Sequence, residues 1–541
     1  MYTKIFTACM CAGLILNASA KTWIVGDGGM KVPPSIVLNQ AQSGDTVIIK
    51  PGTHTESAQW SVKSNLTIIG DGGPEVTKII SLANNDVVAI NGSVIDGEPP
   101  RVALWKSDIV IKGLNISNAA GKGSCNMIRI HGGKNILVQD CILHDAGEDG
   151  DIIKVTTAED IRIDHCIIYN PGPRGGSGWQ ECVDFIDTKR GYISNSWLFF
   201  QLYDGNRLCY AKGGSEDCVY ENNIFGPVAL GQAALFGCSS WGGHDHYAYS
   251  CYRHIMRNNI FLHCDGYASA FFEPRDAYFY NNIVYNCGKA FGWEGADASA
   301  DEGRNAWIYN NIFYNDNNAT QYIYMWAASA PIKDYKNDYN LYYSVGKSTS
   351  YGQLAKGAHG LTVDPLLENP QKPSTAGSSF SLSKIDEIKS WFKIKSTSPV
   401  INKGVSQVSG APNFSITFDM FGGTRPFGAG IDLGAHEYGA SSGIIWNTAD
   451  NRKSFPNIQS ARLTGSNCLS FFYNTDFPKN VTLQLYNISG KLFAAENVFV
   501  NPGNHIYNWA LPLNSRLTSG CYIFRANTSL GSDIARLVKI K

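Results

Sequence analysis

The sequence predicts an all-β chain: a right-handed parallel β-helix followed by a small C-terminal β-sandwich. Three observations carry that expectation. A phrase of two polar residues, two apolar ones and then Asn or Asp recurs along the chain. It reads "LNISN" from Leu114, "QDCILHD" from Gln139, "DHCIIYN" from Asp164, "SNSWLFF" from Ser194 and "ENNIFG" from Glu221. It continues as "RNNIFLH" from Arg257, "YNNIVYN" from Tyr280, "YNNIFYN" from Tyr309 and "KNDYNLYY" from Lys336. Intervals are mostly 23 to 36 residues, the period of stacked units that are each too small to bury their own apolar face. The second observation is that no long stretch shows helical periodicity, so two-helix repeats are excluded. The third is composition: 55 glycines and 27 tyrosines suit a turn-rich β structure with an aromatic, sugar-compatible surface.

Taken in chain order, the first element is a leader. "MYTKIFTACMCAGLILNASA" has Lys4 at its positive end, an apolar stretch from Ile5 to Leu16 and a small-residue cleavage site at Ala18-Ser19-Ala20. Residues 1–20 therefore read as a secretory signal peptide, too short for a membrane anchor. No later stretch is long and apolar enough to span a bilayer. Residues 21–438 carry the repeats. In each, a short alternating strand such as "IRI" or "CVY" precedes the phrase, Asn side chains stack at the turn, and Ile, Val and Cys fill the core. Of fourteen cysteines, Cys9 and Cys11 lie in the leader. Most of the others fall inside the repeat and read as small apolar core residues. "GASSG" at 439–443 is a linker. Residues 444–541, with "VTLQLYNISGKLF" from Val481, alternate apolar and polar residues as half-buried strands do.

Charge narrows the function classes. The formal net charge is −1, 17% of residues are charged and no basic stripe occurs, so nucleic acid is not an expected partner. Counting ten residues back from the phrase gives Lys154 from Asp164, Phe185 from Asn195 and Lys212 from Asn222. A shift of a residue or two brings Asp184 into the same row. Arg129 and His131 fall near it one coil earlier, and Asp151 and Asp187 flank it. Adjacent coils are about 4.8 Å apart, so these groups converge on one or two sugar units of a secreted enzyme's substrate. The mixture suits β-elimination on a uronate. A base removes the C5 proton once the neighbouring carboxylate is neutralised by Ca²⁺ or by cations, and a lysine in a partly desolvated, cationic setting can be that base. Lys212, with paired glycines behind it, is the expected base. Asp151, Asp184 and Asp187 are expected hard oxygen ligands for calcium. Arg129, His131, Lys154 and Arg207 are expected to bind substrate, as are His246 in the long insertion "SSWGGHDHYAYSCYRH" and Glu273 in "FFEPRD".

Both ends of the repeat region and parts of its middle resemble the pectin-lyase-like β-helix superfamily. "PSIVLNQAQSGDTVIIKPGTHTE" from Pro34 is similar to the cap that opens such domains. "SPVINKG" from Ser398 and "GGTRPFGAGIDLGAHEYG" from Gly422 are similar to the segment that closes them. "GEDGDIIKVTTAEDIRIDHCIIYN" followed by "DFIDTKRGYISNSW" resembles pectate lyases. That resemblance sets Asp151 and Asp187 on calcium-ligand aspartates and Asp184 one residue from a third acidic position. Where those enzymes carry a catalytic arginine, this chain reads "LGQAALFGC". "DGNRLCYAKGG" resembles the "DGNGFKLGG" stretch of a second β-helix pectate lyase family, whose lysine is the base, and the match falls on Lys212. Chondroitinase B and alginate lyases of this fold also set a lysine before a comparable phrase, with an arginine one coil later that this chain lacks. The last 75 or so residues resemble the C-terminal sorting domain of type IX secretion. The resemblance implies a secreted or cell-surface, monomeric polysaccharide lyase on an acidic polysaccharide, handled by secretion machinery through that domain. Two other functions fit the same sequence: a glycoside hydrolase using paired aspartates, and a non-catalytic glycan-binding or adhesin rod.

Overall fold

The structure, a computed structural model, describes residues 20–93, residues 105–440 with short breaks of which 237–250 is the longest, and the strands between 457 and 539. The leader residues 1–19, His246 and Glu273 lie outside the described residues. From residue 22 to residue 344 the strands form a parallel β-solenoid. One sheet has eleven strands and a second has twenty-two. The larger sheet bends at a corner and so supplies two of the faces. Its bend is visible in single strands: β1 (Ile128–Gln139) and β2 (Ile153–Asp164) run through the corner, with Asn135 (φ 54°) and Asp160 (φ 57°) left-handed there. Ile128, Ile130, Ile136 and Val138 point inward, stacked on Ile153, Val155, Ile161 and Ile163 of the next rung. No rung could bury these side chains alone.

The recurring phrase proves to be a corner and a ladder. Its second residue adopts the left-handed region, at Asp140, His165, Asn195, Asn222, Asn258, Asn281 and Asn310 (φ 51–60°), where Asn, Asp and His are the commonest non-glycine residues. The residue after it points inward. Asn223, Asn259, Asn282 and Asn311 each donate Nδ2–H to the Oδ1 of the Asn one rung on, at 2.9–3.2 Å, ending at Asn340. The same oxygens accept backbone N–H groups at 2.8–3.0 Å. The side-chain amides of this ladder are thus used, as burial demands. In earlier rungs Cys141, Cys166 and Ser196 hold the place. Nine cysteines among the described residues are buried, as expected of core residues.

A second corner column pairs rungs two by two. Asn135 Nδ2 donates to Asp108 Oδ1 (2.6 Å), and Arg190 grips Asp160 (2.6 and 3.1 Å). Arg253 grips Asp217 (2.6 and 2.8 Å), and Asn305 Nδ2 donates to Asp276 Oδ1 (2.8 Å).

Helix α1 (Pro34–Gln40) buries Val37 and Leu38 over the first rung. Helix α2 (Ser383–Trp391) buries Ile385 and Ile388 against the outer side of the eleven-stranded sheet. The closing segment holds a buried ionic knot around Arg425. All six carboxylate oxygens of Asp419, Asp432 and Glu437 accept backbone N–H groups, at 2.6–3.0 Å. The C-terminal residues form two antiparallel sheets. One has three strands (Asn457–Thr464, Cys468–Thr475, Gly503–Ala510); the other has four (Leu492–Val500, Lys479–Asn487, Gly520–Thr528, Gly531–Lys539). Among the described residues no helix is long and apolar enough to cross a membrane.

Candidate active site

The site lies on the outside of one face, across β1, β2, β3 (Glu181–Lys189) and β4 (Arg207–Lys212). The pleat sends alternate residues outward, so two outward positions build two columns, and the residues that lead into the strands build a third. The register sets Arg129, Lys154, Asp184 and Tyr210 side by side in the middle column. His131, Thr156, Ile186 and Lys212 form the next column toward the corner. Two residues before the core row, Asp86, Asn126, Asp151 and Glu181 form the third, with Arg207 beside Glu181.

The third column is a ladder of side chains on backbone. The N–H of Asn126 donates to Asp86 Oδ1 (3.1 Å), that of Asp151 to Asn126 Oδ1 (2.9 Å), and that of Glu181 to Asp151 Oδ1 (2.8 Å). These bonds aim the carboxyl groups at the middle column. Lys154 Nζ donates to Asp151 Oδ2 (2.7 Å) and Asp184 Oδ2 (3.3 Å). Lys212 Nζ lies 3.2 Å from Asp184 Oδ1, off the line of a hydrogen bond, and 4.0 Å above the Tyr210 ring. Arg207 covers the same ring at 4.6 Å and sets Nη1 3.7 Å from Glu181 Oε1. Arg129, 47% exposed, has Nη1 3.6 Å from Asp86 Oδ2. Four cations therefore face four carboxyl groups.

Burial sets their proton affinities. Glu181 is fully buried, and burial together with the charges of Asp151 and Asp184 pushes its pKa well above the ordinary value of 4.5. Asp184 is 0% exposed; burial raises its pKa although the ammonium groups of Lys212 and Lys154 pull it down. Burial works against charge on Lys154, but Asp151 and Asp184 outweigh it and raise its pKa, so this lysine stays protonated. Lys154 is a fixed cation, not a base.

Asp151, Glu181 and Asp184 each offer an oxygen within 4.8 Å of the others. Glu181 Oε1 and Asp184 Oδ1 are buried and accept no hydrogen bond. Glu181 and Asp184 thus each keep a hard oxygen donor for a calcium ion, while both oxygens of Asp151 also hold the Lys154 ammonium and the Glu181 N–H. Asp187 stands outside this trio. It is a left-handed corner residue (φ 48°) like Thr157 (φ 49°) one rung earlier. Arg129, His131, Lys154, Asp151, Asp184, Arg207 and Lys212 share one face, as expected. The reading of the sequence missed Glu181, Asp86 and Asn126, although Asn126 and Glu181 each stand fourteen residues before a corner residue, Asp140 and Asn195.

No protein-family model and no curated protein matches the chain. Among solved structures it is similar to a pectate lyase (13% identity, TM-score 0.40, covering 77% of this chain and 96% of that one). A rhamnogalacturonan lyase is similar at 14% identity and TM-score 0.41, over 58% of this chain and 87% of that one. A surface adhesin of Streptococcus pneumoniae is similar at 14% identity and TM-score 0.40, over 58% of this chain and 74% of that one. At identities this low, activity and substrate have to be read from this chain's own residues.

Proposed function

We propose that the protein is a polysaccharide lyase that cleaves a uronic-acid-containing, pectate-like polymer by β-elimination, with Lys212 as base. One observation carries this reading: the unrepeated Lys212 sets its amine 3.2 Å from a buried carboxylate on a face where four cations meet four carboxyl groups. A uronate C5 proton becomes removable when the charge of its carboxylate is neutralised. Arg207, which shares the Tyr210 ring with Lys212, would hold that carboxylate, while Lys154 stays locked to Asp151 and Asp184. Lys212, in its neutral form, takes the C5 proton. The electron pair left behind forms the C4–C5 double bond, and the bond from C4 to the glycosidic oxygen breaks. That oxygen leaves with its pair and gains a proton from water, becoming the hydroxyl of a new reducing end.

Asp151, Glu181 and Asp184 would hold a calcium ion, which when bound supplies positive charge to the substrate carboxylate. Burial favours the protonated form of Glu181, and binding of the ion would favour the carboxylate. Crowding of the three carboxyl groups within 4.8 Å is tighter than the roughly 5 to 9.5 Å that a glycosidase keeps between its two, which favours elimination over hydrolysis. We place the enzyme outside the cell, exported by the leader and carried by the C-terminal domain as a sorting signal.

The test is a panel of pectate, alginate and glycosaminoglycan, with and without a chelator. The expected product absorbs in the ultraviolet because of its new double bond, and the chelator suppresses it. New reducing ends without that absorbance would sink the elimination reading.

A further inference from the structure

The corner after Lys212 is one residue longer than those of the two rungs before it. Val155, Phe185 and Ala211 are partners in register, as are Glu159, Lys189 and Glu216. Four steps separate the first two pairs, and five separate Ala211 from Glu216. The extra residue makes a corner with two left-handed glycines, Gly213 (φ 62°) and Gly214 (φ 78°), where Thr157 and Asp187 each stand alone. Glycine takes such positions without strain, and a Cβ on Gly213 would also meet Ile186 Cγ2 at 3.2 Å.

Among the described residues the ladder to the following strand runs as far as Ala211, paired with Phe236. Ser215 braces the corner beyond it. Its Oγ donates to the Lys212 carbonyl (2.8 Å) and accepts the N–H of Thr188 (3.1 Å), tying the corner to the rung that bears Asp184. Ser215 is fully buried, and its own carbonyl accepts a hydrogen bond from His254 Nε2 at 3.0 Å. Burial drives the pKa of His254 down to about 4, so the ring is neutral and the proton of that bond sits on Nε2.

We infer that Ser215, held in turn by His254, is the positioning residue that keeps the Lys212 amine over Tyr210 and against Asp184. The inference rests on the reading of Lys212 as base only for its catalytic consequence. The local geometry stands without it, and the test separates the two.

Full-length Ser215→Ala and Ser215→Thr are compared with wild type in two measurements. One is the rate at which acetic anhydride labels Lys212, read by peptide mass spectrometry. The other is kcat and KM on whichever uronan the wild type cleaves. Ser215→Ala is expected to raise Lys212 labelling several-fold and to lower kcat by about 10- to 100-fold at unchanged KM, the scale of a misplaced catalytic group. Ser215→Thr is expected to restore both. Wild-type labelling in a folded Ser215→Ala protein overturns the inference, as does a change confined to KM. Raised labelling in a protein whose wild type cleaves no uronan supports the positioning role and removes the assignment of Lys212 as base. If Ser215→Ala does not fold, His254→Leu is read against His254→Gln, whose amide N–H reaches the same carbonyl. Faster labelling with Leu alone supports the inference, and equal labelling overturns it.

Discussion

Two clusters of buried charge sit in this molecule, and their difference separates a staple from a site. In the closing segment Arg425 is surrounded by Asp419, Asp432 and Glu437, and every carboxylate oxygen accepts a backbone N–H. On the outer face, Asp151, Glu181 and Asp184 meet Lys154 and Lys212, yet Glu181 Oε1 and Asp184 Oδ1 accept nothing. Both clusters paid for desolvation. Only one was finished by its own backbone. The oxygens left over at the other are what a ligand would complete.

The sharpest contrast is between activity and stability. Lys212→Ala should lower the elimination rate by about 10³-fold, within the range for removing a general base, and leave the thermal midpoint near that of the wild type. Loss of activity by only a few-fold would break the contrast at the site. Arg425→Met should do the reverse. Removing one partner of a buried ionic cluster costs about 3–5 kcal/mol, read by urea unfolding, while kcat of the folded fraction stays unchanged.

Calcium should distinguish the clusters next. At a concentration a hundred times its Kd, it should stabilise the wild type by about 2.7 kcal/mol, and Glu181→Gln should abolish that gain. Glu437→Gln should leave it intact. The smallest effect is the pH dependence of the metal-free protein. Burial raises Glu437 to about 7 and Glu181 well above 4.5. Each group is therefore most favourable to folding when protonated. That share of stability is complete below pH 4.5. It is lost as pH rises through the folded values, near 7 for Glu437. Unfolding at several pH values should show the loss, Glu437→Gln should remove the part centred near 7, and calcium should reverse only the part due to Glu181.

Much of the solenoid was legible because stacking repeats a residue type at a fixed place. "ENNIFG" encodes a left-handed Asn222 and a ladder residue, Asn223, and the next rungs say the same. The site was legible in part. The corner residue of "DHCIIYN" is His165, not Asp164, so counting ten from Asp164 reached Lys154 by starting one residue early. Counted from Asp140, His165 and Asn195, eleven residues back gives Arg129, Lys154 and Asp184, and fourteen gives Asn126, Asp151 and Glu181. Glu181 was missed because a single row was followed and the parallel polar column was not. Lys212 fell within a residue of its row because the glycine inserted behind it is silent in the phrase. Asp187 reads as acidic in any count, and only backbone geometry shows that it turns the corner.

The corner column of acids and donors carries a last consequence. Asp108 is bonded to Asn135, Asp160 to Arg190, Asp217 to Arg253 and Asp276 to Asn305, so rungs are coupled as couplets. Deleting one rung would set acid against acid or donor against donor at the new junction, and like charges facing each other are destabilising. Deleting a couplet would restore the alternation. The parity of this column therefore makes even-numbered changes the less disruptive way for this solenoid to lengthen or shorten, and it penalises any chain that docks one rung out of step.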